Sequence, residues 1–370
     1  MPMESMSGGR EYIVGPLLQG SLEDLRKLFN EVRELGYTIV GPKLVDGVIR
    51  YEILNSFDDI PYGYEDIQEP GSYRVVEGQS FRHGPDSPKK FLYPPELVLL
   101  RIRPDWSIEI PRLEEKRIAF FGIKPCDLAA IEVMDRVLGY LGDEHYINAR
   151  RDSLIVVENC TRPGKTCFCA SMGTGPEARW GFDVSYTVLS RDTVVIRPGS
   201  DVGLKLVERL GLEPPPLETV RRLRRVLEEA RRAARAPFSA EELPDLLEHA
   251  MDSPVFREVA EKCLGCGSCS MVCPTCFCFD IVDELLPDGT AVRKRVWDSC
   301  LTYTFAQVAG GHFRPDIWAR YRHFVLHKFC FWPRQFGVMG CVGCGRCITW
   351  CPAGIDIRET IRRILEGVRE

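Results

Sequence analysis

Three observations predict an α+β fold for this chain. Strands alternate with helices over residues 12–212, a proline break then opens a run of amphipathic helices, and two four-cysteine runs sit among helical segments near the carboxyl end. An N-terminal α/β domain is therefore expected over 1–212 and a helical linker over 213–252. A C-terminal helical, cysteine-rich domain with a β-hairpin insertion is expected over 253–370. At 370 residues the chain is long enough for two or three cores. A net charge of −5 argues against general nucleic-acid binding, so the arginines at Arg221, Arg222, Arg224 and Arg225 read as a solvated helix face.

In chain order, Ser21 and Asp24 form a capping box for a helix to Leu35, with Leu22, Leu25, Leu28, Phe29 and Val32 on one face and Gly36 as the stop. Tyr37–Val40 and Val48–Leu54 read as strands around an Asp46-Gly47 turn. From Asn55 to about Glu96 the chain is polar and aperiodic, yet Tyr62, Tyr64, Tyr73, Phe81 and Phe91 make it too aromatic for a free linker. An interaction surface is expected there.

Arg117–Ile123 is an apolar strand and Asp127–Leu138 a helix, with Cys126 at the turn between them, where a helix N-terminus favours a thiolate. Leu154–Glu158 is a strand followed by Cys160, Cys167 and Cys169. A hairpin over Phe182–Leu189 and Thr193–Ile196 and a helix over Asp201–Leu210 complete the α/β region. No G-x-G-x-x-G follows any of these strands, so no dinucleotide site is expected in this chain.

Glu213-Pro214-Pro215-Pro216 breaks the pattern. Helices follow over Leu217–Arg235, within 239–250, and from Ser253-Pro254 up to Cys263. A hairpin over Phe279–Leu286 and Ala291–Trp297, a helix near Arg314–Lys328, and a last helix carrying Ile357, Ile361, Ile364 and Leu365 and ending at Gly367 close the chain.

The sequence holds 16 cysteines. Cys263, Cys266, Cys269 and Cys273 follow C-x2-C-x2-C-x3-C-P, and Cys341, Cys344, Cys347 and Cys351 repeat it. This is the run by which bacterial-type ferredoxins hold [4Fe–4S] clusters, and zinc sites more often use two separated pairs. Three thiolates on a tight loop wrap one cubane, and the fourth serves the other cluster. One cluster is thus expected on Cys263, Cys266, Cys269 and Cys351, the other on Cys341, Cys344, Cys347 and Cys273.

Cys126, Cys160, Cys167 and Cys169 suit a third [4Fe–4S] cluster, a reactive dithiol at Cys167 and Cys169, or ordinary buried thiols. Cys276, Cys278 and Cys300 are expected near the first run, as replacement ligands or as neighbours that tune potential, whereas Cys330 reads as a packed thiol. His312, His323 and His327 are read as surface or satisfied histidines. The opening residues Met1–Arg10 contain no apolar segment, and no run reaches the ~18 apolar residues that span a bilayer. A cytoplasmic, reducing setting without membrane insertion is expected.

The motifs Gly122-Ile123-Lys124-Pro125-Cys126-Asp127, Cys160 with Thr166-Cys167-Phe168-Cys169, Cys273-Pro274-Thr275-Cys276-Phe277-Cys278, Trp297-Asp298-Ser299-Cys300, Ala309-Gly310-Gly311-His312 with Arg314-Pro315, and Cys341–Cys347 occur in that order. Together they resemble the β subunit of cytoplasmic sulfhydrogenase, a family close to the electron-transfer component of anaerobic sulfite reductase. The resemblance spans about residues 116–357 and is weak over the first hundred.

What it implies is an iron–sulfur electron-transfer subunit with no catalytic residues of its own. Its partners would be an NAD(P)H-reacting flavin subunit on one side and either a [NiFe] hydrogenase or a sirohaem sulfite reductase on the other. The resemblance also favours the third cluster on the N-terminal four cysteines. A rival reading makes Cys167 or Cys169 a thiol that attacks sulfur or polysulfide.

Overall fold

A computed structural model describes residues 11–111 and 117–369. The opening decapeptide, read above for the lack of an apolar segment, lies outside the described residues.

The N-terminal half is built on a seven-stranded mixed sheet. Its spatial order is Leu18–Gly20, Thr193–Pro198, Val184–Ser190, Leu154–Glu158, Ile118–Ile123, Thr38–Val45 and Val48–Ile53. The four strands from Val184–Ser190 to Thr38–Val45 pair in parallel, and the outer pairs are antiparallel. The two central strands are buried along their whole length, as a sheet covered on both faces requires.

Period-two alternation divides them. Ala119, Phe121, Leu154 and Val156 meet the helices Leu22–Glu34 and Asp201–Glu208, while Ile118, Phe120, Ile155 and Val157 meet the helix Pro125–Leu141. The first helix carries the expected capping box between Ser21 and Asp24 and buries Leu25, Leu28, Phe29 and Val32. Each such side chain contributes roughly 1.5–3 kcal/mol when removed from water. Cys126 and Cys160 thus emerge beyond the carboxyl ends of two adjacent parallel strands.

Residues 55–96, read as an interaction surface, fold as a partly exposed hairpin, Tyr64–Glu69 with Ser72–Glu77, and a short helix, Lys89–Leu92. Tyr73 packs on Trp350 with ring centroids 4.9 Å apart, and Gly71 N–H donates to Ile348 O at 3.1 Å. Phe81 and Tyr93 are buried. The aromatic content that marked the segment is spent on contacts with the second cysteine run and the core.

In the C-terminal half, helices Leu243–His249, Val255–Ala260, Ile317–Leu326 and Ile357–Arg369 enclose one core to which Phe168 and Met172 also contribute. The last helix runs through Gly367 instead of stopping there, with Ile357, Ile361, Ile364 and Leu365 buried as expected. The hairpin Phe279–Leu285/Ala291–Trp297 forms, and its second strand pairs antiparallel with Glu96–Ile102. The resulting four-stranded sheet joins the two halves of the chain. Among the described residues no helix is long and apolar enough to cross a membrane.

Candidate functional site

The two cysteine runs adopt the same backbone. Gly265 and Gly267 have φ of +62° and +75°, Gly343 and Gly345 +64° and +80°, and a single helical turn follows each pair, Ser268–Met271 and Arg346–Thr349. Only glycine visits that region without strain, so the Cys-x-Gly-Cys-Gly spelling dictates the loop. The loop turns backbone donors toward sulfur: Gly265 N–H donates to Cys263 Sγ at 3.5 Å, and Gly343 N–H to Cys341 Sγ at 3.4 Å.

Cys263, Cys266 and Cys269 line one cavity together with Cys347 and Cys351 of the other run, closed by Leu301, Tyr321 and Phe324. Cys263 and Cys269 each feel the Cys351 thiol electrostatically. In the second set, Cys341 and Cys344 both face Cys273, and Cys347 faces Cys341, Cys344 and Cys273. Among the described residues no three His, Cys, Asp or Glu side chains close around a point as a single metal ion needs. The first set borders a cavity, which suits a polynuclear group.

Buried cations support the second set. Lys328 Nζ donates to Cys273 Sγ at 3.1 Å, to Gly340 O at 3.2 Å and to Thr275 Oγ1 at 3.4 Å. A hydrogen bond from Cys276 and then the Lys328 ammonium hold Cys273 well below the usual thiol range. By contrast, burial pushes Cys341 up to about 12. Such thiols release their protons only to a positive centre such as iron.

The N-terminal four converge beside this second set. Cys169 feels Cys167, Cys160 and Cys344, and Cys126 feels Cys344 and Cys169. Phe168 N–H donates to Gly343 O at 2.8 Å, and the Thr166 and Thr349 hydroxyls lie 2.8 Å apart. Lys124 and Arg82 face Cys160, and Arg346 faces Cys126. Arg346 is fully buried and pairs with Asp127 at 2.9 Å, and Tyr51 O–H donates to the same carboxylate at 2.8 Å.

Cys126 stands at a helix start as expected, but burial and the adjacent Asp127 raise its pKa, so it is no activated thiolate. Burial likewise pushes Cys167 up to about 12.

Cys276 lies next to Cys273, and Cys278 next to Cys300, which faces Cys269, so all three stand near the first run as their place in the sequence suggested. Cys330 is fully buried in the helical turn His327–Phe331. His323 and His327 stack on one another, and His312 contacts Tyr303 O and accepts from Arg314 N–H at 3.0 Å. None of these histidines joins the thiol sets. Sequence reasoning missed the buried cations Lys89, Lys124, Lys328, Arg82 and Arg346. The only local signal was a charged residue inside an apolar run, as at Lys328 in Val-Leu-His-Lys-Phe-Cys-Phe.

A family signature described as a 4Fe-4S dicluster domain matches residues 262–355, which implies two [4Fe–4S] clusters. The chain is 33% identical to sulfhydrogenase 2 subunit beta of Pyrococcus furiosus over 346 residues, 92% of this chain and 96% of that protein.

Proposed function

This chain belongs to the sulfhydrogenase β-subunit family, and from that premise we propose that it relays electrons in a cytoplasmic complex, with an NAD(P)H-reacting flavin subunit at one end and a [NiFe] hydrogenase at the other. The observation that carries the reading is the cavity that Cys263, Cys266 and Cys269 share with Cys347 and Cys351 of the other run. One group would be held by those four, the second by Cys341, Cys344, Cys347 and Cys273. Bound clusters supply one-electron redox chemistry in which the ligands stay fixed.

The protein's own residues do the rest. Backbone N–H groups and the Lys328 ammonium stabilise negative sulfur, and Tyr321, Phe324 and Leu301 form the apolar wall of the first cavity. A third cluster on Cys126, Cys160, Cys167 and Cys169 is part of the proposal. The contact of the 166–169 loop with Gly343 supports it, as do Arg82, Lys124 and Arg346 around those thiols. In this division of labour residues 253–370 carry the pair of clusters, 1–212 the third, and 213–252 connect them.

Iron and acid-labile sulfide assays on the anaerobically purified chain should give about eight of each for two clusters, or about twelve with the third. Stoichiometric zinc without sulfide would overturn the proposal. Reduction of polysulfide by the isolated chain would favour the thiol reading instead.

A further inference from the structure

Helix Leu217–Ala233 buries Leu223, Leu227 and Ala230, and residues on its other side, Arg222 and Val226, border a cleft of about 740 Å³. The cleft lies where parallel strands end. Val188 and Ser190 belong to the carboxyl end of Val184–Ser190, and Thr161 follows Leu154–Glu158, the strand paired with it in parallel. Leu22, at the start of helix Leu22–Glu34, and Tyr62 add to the wall. Open α/β sheets take their small ligands in such a crevice, beyond the carboxyl ends of the strands. The volume also falls within the roughly 300–1,000 Å³ of small-molecule sites.

Three exposed arginines reach this cleft from separate elements: Arg162 from the loop after Leu154–Glu158, Arg191 from the turn between Val184–Ser190 and Thr193–Pro198, and Arg222 from the long helix. Each is anchored. The buried Arg82 donates to Arg162 O at 3.3 Å, Leu22 N–H donates to Arg191 O at 2.9 Å, and the Arg222 guanidinium donates to Leu189 O at 2.8 Å. Among the described residues no carboxylate forms an ion pair with any of the three. Like charges around one opening focus the field and draw an anion into it.

A phosphate group alone would leave most of that volume empty. The rest of the lining describes what accompanies it. Leu22, Val188 and Val226 offer apolar surface, Ser80 and Thr161 offer hydroxyls, and Glu229 offers an acceptor for the hydroxyls of a sugar. A ligand with anionic, hydroxylated and apolar parts matches these walls, and a nucleoside phosphate has all three. The missing G-x-G-x-x-G does not count against it. That fingerprint cradles pyrophosphate on backbone N–H groups, whereas guanidiniums grip phosphate oxygens through paired side-chain N–H bonds.

We propose that this cleft binds a nucleoside diphosphate, with Arg162, Arg191 and Arg222 on its phosphates. The site goes beyond the electron relay and does not rest on it, since no thiol is among the residues that line the cleft.

Isothermal titration calorimetry of the full chain, purified without oxygen and held at physiological ionic strength, tests the site with ADP, adenosine, pyrophosphate and sulfate. ADP should bind saturably, pyrophosphate more weakly, and adenosine and sulfate more weakly still. Arg162→Ser and Arg191→Ser should each weaken ADP about tenfold or more, as loss of a charged hydrogen bond does. Arg224→Ser should match the wild type, because Arg224 sits on the same helix as Arg222 but lines a different cleft.

No saturable binding of ADP would overturn the site, and so would an equal loss in Arg224→Ser, which would mark general attraction to a basic surface. Pyrophosphate or sulfate binding as tightly as ADP would also overturn it, leaving an adventitious anion only. The ranking of the four probes on the wild type decides even if a variant does not fold. A chain that holds iron and sulfide but ignores ADP leaves the relay standing, and one that binds ADP without iron leaves this site standing.

Discussion

The two cysteine loops have one spelling and one backbone, yet they live in different solvents. On the first loop Leu264 is 67% exposed and Cys266 is exposed. On the second, Val342 is 1% exposed, and Cys344 and Arg346 are buried. At Gly265 the first loop rests lightly on Leu301 and Ile317 and only at Gly267 closely on Ser299, whereas both glycines of the second are wedged against residues 166–169 of the other half of the molecule. Identical motifs therefore specify only the grip on the group. What surrounds them sets potential and access, and on this comparison the first loop is the open one and the second the enclosed one.

The comparison is broken most forcefully at Arg346, which occupies the place that Ser268 holds in the first loop. Arg346→Met strands the buried Asp127 carboxylate and should cost about 3–5 kcal/mol, while Ser268→Ala should stay within about 0.5 kcal/mol. Anaerobic chemical denaturation of the two variants measures the gap. Equal losses would mean that the loops are equivalent after all.

Next come the glycines. A Cβ on Gly343 would lie 2.7 Å from Cys169 N and from the Phe168 carbonyl, but one on Gly265 meets nothing closer than Leu301 O at 3.5 Å. Both carry positive φ, so Gly265→Ala should cost about 1–2 kcal/mol for backbone strain alone. Gly343→Ala adds overpacking of about 1–3 kcal/mol. The melting temperatures of the two variants give the difference directly.

Acid offers a third probe of the inner side. His83 is buried near Arg346, Arg82 and Lys124, and burial and then those cations hold its pKa well below the ordinary imidazole value. A histidine kept neutral in the fold binds its proton more readily when unfolded. Its contribution is complete above about pH 6.5 and shrinks by about 1.4 kcal/mol for each unit below, as far as the folded-state pKa. His83→Gln should flatten stability between pH 7 and 5; an unchanged slope would assign the acid sensitivity elsewhere.

The smallest effect on stability is expected at Leu264. Leu264→Asp should leave folding and iron content within error but slow electron exchange with the partner protein, because the substitution touches the exposed rim of the first cavity. Val342→Asp, one run later, should not yield a folded protein.

What was legible in the sequence was local. The capping box at Ser21, the strands Ile118–Ile123 and Leu154–Glu158, and the hairpin ending at Trp297 follow from short-range pattern, and so do the twin cysteine loops. What was not legible joins distant residues. No periodicity announces that Glu96–Ile102 pairs with Ala291–Trp297, or that Tyr73 packs on Trp350. Nor does it show that Lys89 reaches the carbonyl of Cys276. Nor does it show where the rings of residues 55–96 go: Tyr62 and Phe81 into the N-terminal core, Tyr73 and Tyr93 against the C-terminal half.

The sheet across that seam has a consequence for anyone wishing to transplant the wiring. The segment 262–355 matched by the dicluster signature contains Ala291–Trp297 and its hairpin mate but not Glu96–Ile102, the strand on its other edge. Cut out as a minimal ferredoxin, it would expose that second pairing edge along with Gly343 and Gly345, a template for self-association in place of a portable cartridge.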